Sequence, residues 1–523
     1  MAKKTRTRGL AATPSATAAE GGDATFPWST TNLTAPTAVA VALFALLVRV
    51  LVSLAPYSGQ GTPPMYGDYE AQRHWMEITL HTPTAEWYRN TTANDLSYWG
   101  LDYPPLTAYQ SLAHALLINV SLPQSVALSS SRGFESHESK LMMRWTVLSS
   151  DLLVFFPAAI YFVWVYFQRQ VGVHGEERSA PWLLAMILLN PCLILIDHGH
   201  FQYNCISLGL TLGAIAAVLS RNDFAASILF SLAINHKQMS LYFAPAFFSH
   251  LLGKCLKREN PIFEVMKLGF AVIGTFAVVW WPYLHSIESA MEVLHRLAPF
   301  ERGVFEDYVA NFWCSTSLVI KWKKIFTIHS MKLLSLITTV FAFLPSFFQQ
   351  LRAPSDEGFL FSLLNNSFSF YLFSYQVHEK SILLPLLPAS LLALQEPTLC
   401  GWLMYCGLLS MYPLICRDRL LLQYGAVIGI FLTIFYSPQG KHVKGANRFS
   451  TQQKALMALG LICSVALHLV YLAFEPPKRY PFLFEALIVL FCFSQFVGFT
   501  FYTNAKQWLP LDHSSSMRIK KDL

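Results

Sequence analysis

The chain has 523 residues, 54% of them hydrophobic and only 13% charged, with a formal charge of +7 and a mean hydropathy of +0.39. This composition lies outside the range of ordinary soluble domains and reads as a polytopic membrane protein. The positive residues sit in short connections and at the ends, where membrane topology accounts for them, so nucleic acid is excluded as a partner; nine scattered cysteines without paired short spacing exclude a zinc site and a disulfide framework.

Residues 1–35 open polar and Ala/Thr/Ser/Gly-rich, with Lys3, Lys4, Arg6 and Arg8 leading, and read as a disordered cytosolic tail without a signal peptide. One transmembrane domain is expected over 36–505. Apolar runs long enough to cross, or nearly cross, a bilayer occupy 36–55, 141–167, 181–197, 203–220, 262–284, 331–349, 358–375, 416–436, 455–474 and 481–502. Shorter runs at 224–234, 239–253, 380–395 and 399–411 read as helices that stop at a protein-lined, wet cavity. Together they give an all-α polytopic protein of about fourteen spans.

Two further stretches are expected to lie on the membrane surface. Residues 105–118 place Leu106, Tyr109, Ala113, Leu116 and Leu117 on one side of a helix and Thr107, Gln110, Ser111 and His114 on another. Residues 311–320 are too short to span before Lys321, Lys323 and Lys324. With both left out of the span count, the basic connections Lys254–Arg258 and Lys441–Lys454 and the tail 506–523 fall on the cytosolic side. Segments 56–140, 198–202, 285–330 and 376–380 then fall in the lumen, Lys321–Lys324 being the exception to the charge rule. The sequons at Asn90 and Asn119 become luminal glycosylation sites, and Lys520-Lys521 resembles a dilysine retrieval signal of endoplasmic reticulum membrane proteins.

Chemistry concentrates between Tyr66 and Tyr109, where Asp68, Glu70, Glu77, Asp95 and Asp102 mix with Arg73, His74 and Arg89 and with Trp75, Trp87 and Trp99. Asp68, just beyond the first span, is placed to be a general base tuned by a low-dielectric wall, or an acid paired with Arg73. Asp102, ahead of Pro104-Pro105, either stabilises a turn or binds substrate; the tryptophans stack on sugars or join the interfacial aromatic belt. The run Asp197-His198-Gly199-His200-Phe201-Gln202-Tyr203-Asn204 either lines a cavity or forms a hydrogen-bonded helix connector. His378-Glu379-Lys380 suits an anionic lipid headgroup, unless Lys380 merely snorkels. Glu301–Tyr308, with Glu306 and Asp307, is a second wall of the site or a solvated loop, and Asp151 is a paired intramembrane acid of structural role. No phosphate-cradling loop, dinucleotide turn, Ser/His/Asp set or metal-ligand spacing accompanies them, which favours a substrate already carried in the membrane.

The runs Tyr66-Gly67-Asp68-Tyr69-Glu70 through Thr79, Trp99-Gly100-Leu101-Asp102-Tyr103-Pro104-Pro105, His200-Phe201-Gln202-Tyr203-Asn204 and Val377-His378-Glu379-Lys380 closely resemble the endoplasmic reticulum dolichyl-phosphate-glucose-dependent glucosyltransferases of the GT-C superfamily. The resemblance extends from about residue 36 to 500. Within that family, Ala71–Glu77 and Gly100–Tyr103 look like the member that adds the first glucose to the lipid-linked Man9GlcNAc2 oligosaccharide. The second-glucose member is the alternative, and a transporter, which would need internal repeats that are not seen, is the reading from another class. The resemblance implies dolichyl phosphate glucose as donor, a dolichyl-pyrophosphate-linked oligosaccharide as acceptor, an α-1,3 linkage made with inversion, and no metal or other cofactor. It implies Asp68 as the catalytic base and His378 and Lys380 at the donor phosphate. Asp102, Arg73, His74, Trp75, His200, Gln202, Glu306, Asp307 and Glu379 are expected in the substrate site.

Overall fold

The computed structural model describes residues 33–170, 180–297, 308–436 and 451–509, and among them every regular element is helical. The predicted tails, residues 441–450 of the basic connection, and Glu306 with Asp307 lie outside the described residues. Helix α1 (Ala35–Ser53) is opened by a capping box in which Thr34 and Thr37 satisfy each other's backbone N–H. An excursion out of the apolar region follows with α2 (Gly67–His81) and α3 (Pro105–Ser121). Helices α4 (His137–Ser150) and α5 (Phe156–Gln170) continue one another through a π turn at Asp151–Phe155. After α6 (Ala180–Leu188), Asn190 caps the short α7 (Pro191–Ile194), which runs into a second π turn at Leu195–Phe201.

Helix α8 (Asn204–Leu219) packs on α9 (Asp223–His236); α10 (Ala244–Cys255) follows, and α11 (Pro261–Trp280) returns to pack on α9 before α12 (Ile287–Leu297). Short helices α13 (Phe312–Thr316) and α14 (Trp322–Ile325) precede the long α15 (Ile328–Arg352) and α16 (Asp356–Phe373). The chain closes with α17 (Leu383–Leu391), α18 (Pro397–Ser410), α19 (Tyr412–Arg417), α20 (Leu421–Phe435), α21 (Thr451–Ala473) and α22 (Leu483–Trp508).

Each apolar run read from the sequence coincides with a helix. Six helical segments among the described residues are long and apolar enough to cross a membrane, and Asn204–Leu219, Leu421–Phe435 and Met457–Ala473 are shorter apolar helices. Burial sorts them by position. Every residue of Ala180–Phe201 is buried, so this segment is the axis of the bundle, whereas α11 exposes Ile262, Phe263, Met266, Phe270, Ile273 and Val278 as a lipid-facing helix does.

One boundary differs from expectation: the run 416–436 becomes helical as α20 only at Leu421. Its first residues end α19, and Asp418-Arg419 forms the turn between the helices, Arg419 in the left-handed region at φ 61°, because Arg417 and Arg419 find water there and Asp418 a partner that a span would deny them.

The surface reading of 105–118 also acquires a direction. In α3, Thr107 and Ser111 face the protein, where Thr107 donates to the His236 carbonyl, while Leu116, Leu117 and Val120 are exposed. The polar stripe is inside and the apolar stripe outside, the inverse of a helix on a soluble protein. Helix α12, not anticipated, also exposes apolar residues, Ile287, Met291 and Leu294, but it exposes Glu288 and His295 too and buries Val293 with Ser289.

The two π turns meet at a buried ion cluster. Arg49 Nε and His198 Nε2 lie 2.7 and 2.6 Å from the same oxygen of Asp151, all three side chains being essentially inaccessible. A π turn inserts one residue per turn and rotates the following side chains, which here points Asp151 and His198 at each other across the two segments. Asp151 is thus the paired structural acid expected from its place in an apolar run.

Candidate active site

Asp68 owes its position to backbone geometry. Tyr66 (φ 56°) and Gly67 (φ 68°) are successive left-handed residues, and a Cβ at Gly67 would come within 2.8 Å of the Ser58 carbonyl, so only glycine fits that turn. The chain therefore enters α2 at a fixed angle with Asp68 in its first turn.

The opposite face of α2 is anchored by a buried ion cluster. Arg73 donates to both oxygens of Glu70 at 2.7 and 2.6 Å, to Glu77 at 2.8 Å, to Ser131 Oγ and to the Ser125 carbonyl. His74 Nδ1 lies 3.2 Å from Glu77 Oε2, and Tyr98 donates to Glu70 at 2.9 Å. Burial works against the Glu77 charge, yet the hydrogen bond with His74 and the Arg73 guanidinium bring its pKa down to about 2. Arg73 and His74, expected in the substrate site, are therefore beneath α2 and do not reach the cavity; their spacing of three and four residues from Glu70 and Glu77 builds the anchor instead.

Above α2 lies a cavity of about 1390 Å³, larger than the roughly 300–1,000 Å³ of ordinary small-molecule pockets and wide enough for two bulky substrates together. Segments read from the sequence as sharing one membrane side converge on it: Asp68, Trp75, Trp99 and Asp102 from 56–140, His200 and Gln202 from 198–202, Arg296 from 285–330, and His378, Glu379 and Lys380 from 376–380.

At its floor, Asp68 Oδ2 receives Lys380 Nζ at 2.7 Å, lies 3.0 Å from His200 Nε2 and accepts from the Gln202 amide. Burial opposes ionisation here, but Lys380 and then His200 outweigh it and hold the Asp68 carboxyl well below the usual carboxylate range. The partner of Asp68 is thus Lys380, and not Arg73.

The Gln202 end of the site is set by an unusual turn. Phe201 has φ 94°, a strained conformation for an aromatic residue, and is held by Arg144 over its ring at 5.5 Å and by the Arg144 hydrogen bond to the Gly199 carbonyl at 2.8 Å. Two residues missed by sequence reasoning complete the floor. Lys237 donates to Gln202 Oε1 at 3.1 Å and Asn204 Oδ1 at 2.6 Å and lies 4.9 Å from the Tyr103 ring centroid, which fixes the Gln202 amide with its N–H₂ toward Asp68. Asp418 lies within hydrogen-bond distance of His200 Nδ1.

Signals for both were present in the chain. Asn235-His236-Lys237-Gln238 is a polar break between short apolar runs, and Arg417-Asp418-Arg419 is a charged triplet at the head of another.

The walls separate the aromatic residues. Trp75 and Trp87 belong to a buried cluster with Tyr88, Leu101 and Tyr283; the Trp75 indole donates to the Trp99 carbonyl at 2.8 Å and its ring also borders the cavity. Trp99 is partly open on the cavity wall, its indole donating to the Met65 carbonyl at 2.6 Å. Arg296 of α12 donates to the carbonyls of Gly100 and Leu101 and so holds the loop that carries Trp99 and Asp102. Glu379 is buried at the cavity edge, whereas Asn90 and Asn119 are exposed away from it. Among the described residues no group of three or more His, Cys, Asp or Glu side chains is arranged to hold a metal ion.

Residues 45–502 match the model of the ALG6, ALG8 glycosyltransferase family. The chain belongs to this family. Its relatives include a probable dolichyl pyrophosphate Man9GlcNAc2 alpha-1,3-glucosyltransferase of Arabidopsis thaliana, 57% identical, with 95% of each chain covered. Dolichyl pyrophosphate Man9GlcNAc2 alpha-1,3-glucosyltransferases of Gallus gallus and Saccharomyces cerevisiae are 41% and 40% identical over 88% of this chain, covering 94% and 89% of their own lengths. The glycosyltransferase family expected from the motifs is therefore the family found, and the cavity around Asp68 is the place in this member where the motif residues meet.

Proposed function

We propose that this ALG6, ALG8 family member transfers glucose from dolichyl phosphate glucose to the lipid-linked oligosaccharide Man9GlcNAc2-PP-dolichol in α-1,3 linkage, the first glucose addition to the N-glycan precursor. The reaction takes place on the luminal side of the endoplasmic reticulum membrane, in a GT-C type fold of about fourteen spans. The observation that carries the reading is the Asp68–Lys380 contact, a carboxylate and an ammonium brought from opposite parts of the chain to the floor of one cavity, in a chain whose relatives carry that activity in their names.

Inversion in one displacement needs a base behind the acceptor hydroxyl and a leaving group on the far side of the anomeric carbon. Asp68 takes the hydroxyl proton as the acceptor oxygen bonds to the anomeric carbon; the bond from that carbon to the phosphate oxygen breaks, and its electron pair leaves with dolichyl phosphate. Lys380 and His378 neutralise the charge that grows on the phosphate, and with that charge stabilisation in place the step proceeds without a metal.

The resting contact adds timing. While Lys380 sits on Asp68 the carboxylate is a weak base, and an anionic donor competes for the same ammonium. As Lys380 turns to the phosphate, Asp68 loses its strongest counter-charge and gains basicity in the complex where a base is needed.

The test is transfer by purified protein from dolichyl phosphate glucose to two acceptors, the unglucosylated and the monoglucosylated lipid-linked oligosaccharide, with and without chelator and with Asp68→Asn. The expected result is glucose on the first acceptor only, unaffected by chelator and lost by at least about a thousandfold in the variant, which retains donor binding. Transfer only to the second acceptor would assign the second-glucose activity, and turnover by the variant would remove Asp68 from the mechanism.

A further inference from the structure

Behind Asp68, at the margin of the cavity, stands a second, buried carboxylate. Asp418 is nearly inaccessible, and its Oδ2 meets His200 Nδ1, while His200 Nε2 lies 3.0 Å from Asp68 Oδ2 and 3.1 Å from Lys380 Nζ. The three side chains come from α2, from the π turn after α7 and from the turn between α19 and α20. A buried imidazole with a carboxylate on each ring nitrogen is a poor structural filler, because a neutral ring has one N–H and can satisfy only one of them.

We infer that Asp418 is a positioning residue which holds His200 as its Nδ1–H tautomer, so that the His200–Asp418 pair receives from Asp68 the proton taken from the acceptor. The inference rests on the reading of Asp68 as the base. When the ring is neutral in this tautomer, its Nδ1–H is given to Asp418 and the Nε2 lone pair accepts from Lys380. After Lys380 has turned to the donor phosphate and Asp68 has taken the hydroxyl proton, that lone pair faces the protonated carboxyl. The O–H bond of Asp68 breaks, an N–H bond forms at Nε2, Asp68 regains its charge, and the imidazolium is held against Asp418. The proton leaves to solvent once the products have gone. No oxidant, reductant or further reactant is required.

Asp418 lies between two exposed arginines that border the cavity, Arg417 and Arg419. The other charged groups facing the pair are Lys380 and Glu379 from one connection, Lys237 from another, Asp102 across the cavity and Arg144 of α4. All remain in place in the variants below, so a change in pH dependence reports the altered member.

The experiment is the pH dependence of kcat and the KM for donor in the full-length protein, with Asp418→Asn, Asp418→Glu, His200→Gln and the double variant His200→Gln/Asp418→Asn. Asp418→Asn is expected to lower kcat by about 10–100-fold while the donor KM changes by less than about twofold. Removing the carboxylate destabilises the imidazolium, so the acid limb of kcat moves to lower pH; Asp418→Glu, which keeps the charge, restores the limb toward its original position. Because Asp418 acts through His200, the double variant is no slower than His200→Gln alone.

A kcat loss with an unmoved acid limb, or losses that multiply in the double variant, would overturn the inference in favour of a packing role. Should Asp418→Asn fail to fold, His200→Gln alone decides: a lowered kcat with the acid limb lost and the donor KM nearly unchanged supports the relay, and an unmoved limb overturns it. Asp68→Asn in the same assay separates the two readings: an active Asp68→Asn removes the base, whereas an inactive one beside a fully active Asp418→Asn removes only the relay.

Discussion

Lys380 has two opposed effects on one carboxylate, since it secures Asp68 in place and suppresses its basicity. The sign of the linkage follows from a depressed carboxyl: the ion pair stabilises the fold above the unfolded carboxylate value of about 3.9, and that contribution is lost as pH falls through the lower folded value. Replacing Lys380 by Met removes the depressing charge. The acid limb of kcat/KM, which reports the free enzyme, should then move to higher pH, and kcat should fall by about a hundredfold or more because the leaving phosphate is no longer neutralised. A pH–rate series on Lys380→Met measures both; an unmoved limb would mean that Lys380 does not set the Asp68 basicity. Lys237 acts one residue further away, through the orientation of Gln202.

At the scale of an element, α2 is a helix whose two faces have separate tasks. One carries Asp68 to the cavity and the other binds the helix down through Glu70, Arg73 and Glu77, paired at spacings of three and four residues. Arg73→Ala would leave two buried carboxylates without their cation, a loss of about 3–5 kcal/mol. Thermal unfolding in detergent should show it as a lowered midpoint, with Arg73→Lys intermediate, because lysine cannot reproduce the bidentate contact to Glu70. A midpoint unchanged in Arg73→Ala would show that the anchor does not hold α2. The π turns act at the same scale. The first redirects a helix without ending it and sets Asp151; the second closes its helix, setting His198 and, at the left-handed Phe201, the cavity side chains His200 and Gln202.

For the whole molecule, the arrangement is a buried axial segment, Ala180–Phe201, packed among helices, with α3 and α12 turning apolar residues outward. Leu116, Leu117 and Ile287 are apolar and exposed, as a face turned to lipid would be. Asn90 and Asn119 are both exposed and belong to the excursion 56–140, which also carries Asp68 and Asp102. If that excursion is luminal, the protein from a eukaryotic membrane fraction should lose mass on endoglycosidase treatment, and Asn90→Gln combined with Asn119→Gln should abolish the shift. Modification of neither sequon, together with protease access to the 56–140 loop from the cytosolic face of sealed vesicles, would reverse the assigned orientation.

The sequence by itself determined the helices, because a run of apolar residues is a local property and every such run became one. It also carried the family's motifs and, within them, residues that line the cavity: Asp68 after the first span, and His378 and Lys380 in their motif. It misplaced Arg73 and His74, since residue type does not say which face of a helix meets the cavity, and it absorbed Asp418 into an apolar run. What only the tertiary structure decided is partnership. Asp68 and Lys380 are 312 positions apart and His200 and Asp418 are 218 apart, and no periodicity spans such distances. The contact arises because burying a charge is costly until an opposite charge is brought to it, and which charge arrives is settled by how the whole bundle packs.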